Sequence, residues 1–196
     1  MFANCKKLLA DYTDSFEVGN VGKFTFANMF SGCTGLQYFY GDFNWDGSHV
    51  TSLNGGHDGC FSGIFKDCTN LYTFTFTNAY RWFELESQYF ASMFEGCTGL
   101  ASVYGLSCTL GSNRACYKMF YGCTSLNIAD VYISGSAGTY QYAQMFSGCT
   151  SLPRVSLLTI EGTSEKCCYE MFRECGSFSN NNNKINITNK VTYGCY

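Results

Sequence analysis

The stretch MFSGCTSL, from Met145 to Leu152, returns along the chain with small changes. It reads MFANCKKL from Met1, MFSGCTGL from Met29, IFKDCTNL from Ile64, MFEGCTGL from Met93, MFYGCTSL from Met119 and MFRECGSF from Met171. Successive starts lie 28, 35, 29, 26, 26 and 26 residues apart, so the underlying period is 26 and the early repeats carry insertions, the largest at 41–63. A phrase that recurs at fixed spacing marks a repeat architecture and outranks any prediction made element by element. The whole chain, 1–196, is expected to form a single solenoid domain of about seven repeats.

After each phrase comes a short run with β character, such as Leu71 to Phe76, Leu100 to Val103 and Leu152 to Leu157. The order Leu-x-x-apolar-x-apolar is the strand line of a leucine-rich repeat, with alternate residues turned into the core. The predicted fold class is therefore a repeat solenoid, leucine-rich-repeat-like, with one parallel β-strand per coil and short turns or helical turns at the corners. Aromatic or cysteine clusters precede each phrase, among them Phe24 and Phe26, Tyr89 and Phe90, Tyr140 and Tyr142, and Cys168 with Tyr169. They are expected to form a second apolar line that closes the coil, with the glycine of M-F-x-G-C at the corner. Stacking at roughly 4.8 Å would align Phe2, Phe30, Phe65, Phe94, Phe120, Phe146 and Phe172 as one column. Leu8, Leu36, Leu71, Leu100, Leu126 and Leu152 would align as another.

Charged residues are 14% of the chain and the net charge is -3, so no basic field exists to hold nucleic acid. No apolar run reaches the roughly 18 residues of a membrane span. The phrases, with Cys-Tyr before them at Cys116 and Tyr117 and at Cys168 to Met171, resemble the BspA-type leucine-rich repeats of bacterial surface proteins, especially those of Bacteroidales and their phages. The resemblance spans nearly the whole chain and implies an adhesion or recognition surface in an extracellular, cell-surface or virion-associated setting. It brings no active site with it.

Seven of the thirteen cysteines, Cys5, Cys33, Cys68, Cys97, Cys123, Cys149 and Cys175, share one repeat position and are read as small apolar residues at a tight corner. Cys60, Cys108, Cys116, Cys167, Cys168 and Cys195 fall outside that position, and Cys108 with Cys116 is the local pair best placed for a bridge. His49 and His57 lie in the insertion with Asp46, Asp58 and Cys60, at a spacing that matches no zinc pattern. Glu84 and Glu86 alternate like solvated strand residues rather than a catalytic pair. The expectation is a protein that is not an enzyme and needs no cofactor or metal.

Binding is the natural use of a solenoid, through strand positions left free to vary. By repeat register the face comprises Tyr38, Tyr40, Tyr72, Thr73, Thr75, Ser102, Tyr104, Asn127, Asp130, Arg154 and Ser156, rich in tyrosine and hydroxyls. Flat apolar area with hydrogen-bonding tips suits a protein or glycan ligand. The alternative expectation is head-to-tail stacking of copies into a filament. Met1 and Phe2 begin a repeat phrase, Cys195 and Tyr196 align with Cys168 and Tyr169, and neither end carries a polar cap. Met1, Phe2, Ile187, Tyr193 and Tyr196 are the residues expected at that contact.

Overall fold

The computed structural model describes residues 1–8, 16–17, 26–39, 43–44, 59, 61–75, 90–109, 113–134, 138–161, 164–176 and 185–188. Among them are eight strands and no helix: β1 (Phe16–Glu17), β2 (Tyr38–Phe39), β3 (Phe43–Asn44), β4 (Thr73–Thr75), β5 (Ser102–Thr109), β6 (Ile128–Ser134), β7 (Val155–Glu161) and β8 (Ile185–Thr188). Strands β2, β4, β5, β6, β7 and β8 form one sheet in that order, every neighbouring pair parallel. Each follows its own phrase, in the repeats that begin at residues 29, 64, 93, 119, 145 and 171. Strands β1 and β3 make a separate parallel pair, Phe16 beside Phe43. That pair brings the first repeat against the 41–63 insertion, which the sequence pattern does not predict. No helix of the described residues is long and apolar enough to cross a membrane.

The core is laid down in columns. Phe39, Phe74, Val103, Ala129 and Val155 are in register across five strands and all buried. Leu36, Leu71, Leu100, Leu126 and Leu152 enter the strands fully buried, while Leu8 packs partly buried against the same core. The phenylalanines of the phrase form a continuous stack from Phe2 to Phe172. Their ring centroids are 5.3 to 5.6 Å apart and their planes within 8° of parallel at every step. Burying one such side chain contributes roughly 1.5 to 3 kcal/mol, and a stacked neighbour adds about 0.5 to 1.5 kcal/mol. Phe26, Phe61 and Phe90 make a second aromatic stack ahead of the phrase, and Cys116, Tyr142 and Cys168 are buried at the same repeat position.

Between these columns the chain runs as a ribbon of tight turns whose alternate N–H groups do different work. From Cys116 to Cys123, the N–H groups of Cys116, Lys118, Phe120 and Gly122 donate to carbonyls of the following repeat, at Gln141, Ala143, Met145 and Ser147. Those of Tyr117, Met119, Tyr121 and Cys123 close turns onto the residue three positions back. Every backbone donor of the segment is thereby satisfied, as a buried segment requires. In this ribbon the bonds between repeats all run the same way, N–H of the earlier repeat to C=O of the later one, from Phe2 to Met29 through Gly148 to Arg173.

That geometry needs a left-handed residue every fourth position. Arg114, Lys118 and Gly122 have φ of 55, 54 and 72°, and Tyr140, Gln144 and Gly148 repeat the pattern at 54, 54 and 77°. The phrase glycine is one of three such sites per turn ribbon. In these two repeats the other sites are filled by ordinary side chains, each at a cost of about 1 to 2 kcal/mol that the inter-repeat bonds offset.

Candidate recognition face

The parallel sheet presents one side outward, and tyrosine recurs there. Tyr38 lies in β2, Tyr72 just before β4, Tyr104 in β5 and Tyr132 in β6, each between 39 and 54% exposed. Alternation explains it: Phe39, Val103 and Val131 are buried beside Tyr38, Tyr104 and Tyr132, and Leu71 is buried beside Tyr72. Register places Tyr38 opposite Thr73 and Tyr104 opposite Thr75, so hydroxyls and phenol rings interleave across the strands. Asp130 lies at the polar centre of this face. One of its carboxylate oxygens accepts the Ser156 hydroxyl at 3.0 Å and the other the Gly105 N–H at 3.4 Å. Asn127 and Arg154 are exposed, and Thr73, Thr75 and Ser156 are half-buried.

Ser102 departs from the expectation. It is buried, only 8% exposed, and its hydroxyl pairs with that of Thr73 at 3.2 Å. Its row neighbours Thr73 and Ile128 are bulkier, and the short side chain sits between them out of solvent. Tyr40 lies outside the described residues. Ile128 and Tyr132, both exposed on β6, also belong to the face, Ile128 in the row of Thr73 and Ser102. Beyond that row the register shifts: Val103 pairs with Ala129 but Leu106 with Val131, so Tyr104 and Gly105 together oppose Asp130. Gly105, at φ 72°, takes up the extra residue as a β-bulge and returns Leu106 to the core.

A second aromatic surface lines the turn ribbon. The Arg114 guanidinium lies over the ring of Tyr140 at 5.7 Å, and the Lys166 ammonium over the same ring at 5.5 Å. Lys118 lies over Tyr121 at 4.8 Å. Arg114, Tyr140 and Lys166 occupy one left-handed position in three successive repeats, which aligns them into a cation–aromatic column. Of the residues expected to join copies end to end, Met1 is exposed, Phe2 stacks on Phe30, and Ile187 pairs with Ile160 in the sheet. Tyr193 and Tyr196 lie outside the described residues.

The cysteine column is built as a structural feature. Cys33, Cys68, Cys97, Cys123, Cys149 and Cys175 each donate S–H to the phrase phenylalanine carbonyl of the preceding repeat, at 2.9 to 3.1 Å. Burial pushes the thiol of Cys68 up to about 12 and that of Cys175 up to about 11, and holds those of Cys97, Cys123 and Cys149 well above the ordinary range. Thiols held neutral in this way are poor nucleophiles. Cys108 and Cys116, the local pair best placed for a bridge, do not form one. Cys116 is in no disulfide and is buried at the repeat position of Phe90 and Tyr142, while Cys108 belongs to β5. His49, His57, Asp46, Asp58 and Cys60 lie outside the described residues, among which no three metal-ligating side chains gather.

A parallel sheet fed by a recurring phrase, with ring columns inside and tyrosines outside, defines a β-rich protein of repeated sequence. A family model described as "Mycoplasma protein of unknown function, DUF285" matches residues 1–131 and again 90–194, and the chain belongs to that family. No curated protein and no solved structure matches the chain.

Proposed function

We propose that the chain is a leucine-rich-repeat solenoid of the BspA type, working without catalysis as a recognition protein at a cell or virion surface. The observation that carries this reading is the set of exposed tyrosines on the outward side of one parallel sheet, Tyr38, Tyr104 and Tyr132 in its strands and Tyr72 just before one. Tyrosine offers flat contact area at low entropic cost, with a hydroxyl able to donate or accept. Asp130 and Ser156, already oriented by each other, add a fixed polar point among the rings. Such a surface suits a glycan, whose sugar faces pack on rings while hydroxyls bond to carboxylate, or the exposed face of another protein.

The test is capture of the purified chain on a glycan array and on immobilised host-surface proteins, with Tyr72→Ala, Tyr104→Ala and Tyr132→Ala compared at equal folding. Loss of a central aromatic should weaken capture by about tenfold or more. Undiminished capture by all three variants would reject the face. Electron microscopy of the same preparation separates this reading from head-to-tail self-assembly: long uniform fibres would put copies of the chain in place of a foreign ligand.

A further inference from the structure

Cys167 and Cys168 are adjacent in sequence and fully buried, and their sulfurs lie 3.6 Å apart. The cysteine column does not account for them. At the same two repeat positions the preceding repeats carry Gln141 with Tyr142 and Ala115 with Cys116. Their environment also differs from the column's. Column thiols donate to a phenylalanine carbonyl and are held protonated by burial, whereas the Cys167 and Cys168 sulfurs contact each other, with either able to donate, and that contact lowers the Cys167 thiol to about 7 against the opposing effect of burial. Exposed Glu165, Lys166 and Tyr169 flank the pair, so it lies one side chain beneath the surface.

We propose that Cys167 and Cys168 form a modification site, a vicinal dithiol that a hydroperoxide converts reversibly into a disulfide. The Cys167 thiolate attacks one peroxide oxygen and the O–O bond breaks. The sulfur becomes a sulfenic acid, and the departing hydroxide takes up a proton to leave as water. The Cys168 sulfur then displaces that oxygen, forming the S–S bond, and a second water departs with the Cys168 proton. Two thiols are oxidised and one peroxide is reduced.

Reversal is built into the spacing. Neighbouring Cα atoms across a trans peptide lie about 3.8 Å apart, shorter than the roughly 4.4 to 6.8 Å of ordinary disulfides, so the bond is strained and yields readily to a thiol reductant. The switch also reaches the joint between repeats. The Cys167 carbonyl accepts the Tyr142 N–H of the preceding repeat at 2.8 Å, and closing the eight-membered ring turns the peptide unit that carries it.

The experiment treats the native chain with stoichiometric hydrogen peroxide, alkylates remaining thiols in denaturant, and maps peptides by mass spectrometry. The pair should escape alkylation, each sulfur having lost its hydrogen, and dithiothreitol should restore both thiols. Cys68, Cys97, Cys123 and Cys149 should remain alkylatable and oxidise at least about tenfold more slowly. In Cys168→Ser, Cys167 should stop at the sulfenic acid and be trapped by dimedone. If that variant does not fold, protection of the wild-type pair from alkylation by phenylarsine oxide, which bridges close dithiols, is the second measurement. Alkylation of the pair in step with the column, sulfinic acid at Cys167 in the wild type, or no protection by the arsenical would each overturn the proposal.

Discussion

The thiol of Cys123 donates to the carbonyl oxygen of Phe94 at 3.1 Å, tying one repeat to the one before it. The same carbonyl already accepts the Cys97 N–H that closes its own turn. Cysteine suits the position because it combines a small apolar volume with a weak donor that reaches the next repeat. Cys123→Ala removes the donor and a little volume. It should cost about 1 kcal/mol, read as a lower urea midpoint with an unchanged slope.

Alkaline conditions should unfold the chain early. In the folded state the column thiols hold their protons more tightly than ordinary thiols, which ionise near 9.0, with Cys175 at about 11 and Cys68 at about 12. Folded pKa values raised in this way leave the stability intact below pH 9 and remove it as pH climbs towards 11 and 12, because the unfolded chain releases those protons first. Urea midpoints measured from pH 7 to pH 11 should hold steady and then fall steeply. A flat profile above pH 9 would show that the column is not buried as described, and Cys68→Ala should make the fall shallower.

Phe94 sits between Phe65 and Phe120 in the ring stack and meets Phe74 edge-on at 4.9 Å. Phe94→Ala should cost about 3 to 5 kcal/mol. Phe172 is only partly buried and contacts Phe146 alone among the described rings of its stack, so Phe172→Ala should cost clearly less. Equal losses in thermal melts of the two variants would contradict the graded burial of the column.

Glycines at two positions should respond differently. A Cβ on Gly99 would lie 2.4 Å from the backbone oxygen of Thr69 in the neighbouring repeat, whereas one on Gly122 would meet nothing within 4 Å. Gly122→Ala pays only for its left-handed backbone, about 1 kcal/mol, while Gly99→Ala must push two repeats apart and should cost about 2 to 3 kcal/mol. Glu174 is the converse case, a β-carbon held at φ 62° where four other repeats carry glycine. Glu174→Gly should raise the melting midpoint, by the equivalent of about 1 kcal/mol.

Much of the interior was legible because repetition turns single letters into columns: the phenylalanine and leucine of the phrase announce two stacks before any coordinate is known. The phrase glycine likewise points to a left-handed corner. Lys118 and Gln144 hold the same backbone without signalling it, since nothing in a lysine or glutamine side chain marks φ above zero, and the demand comes from hydrogen bonds to the next repeat. The outward face was only partly readable. Tyr72, Tyr104 and Tyr132 follow from alternation beside buried neighbours, but the bulge at Gly105, which sets Tyr132 beside Ser107, has no counterpart in the repeat spacing. Ser102 is withdrawn for a reason internal to its row, the size of its neighbours. Cys116 looked pairable by distance along the chain, yet its column fixes where the side chain goes.

Because alternate amides of the turn ribbon all donate from earlier repeat to later, their peptide dipoles add along the stack instead of cancelling as they do in most sheets. The ribbon therefore has an electrical sense, carbonyl-negative towards the Met1 repeat and amide-positive towards the Met171 repeat. Lys6 and Lys7 stand at the negative side, and at the positive one Glu165, Glu170 and Glu174 outnumber Lys166 and Arg173. Reversing those charges would set side chains against the field of the backbone, an unfavourable alignment that added salt would soften.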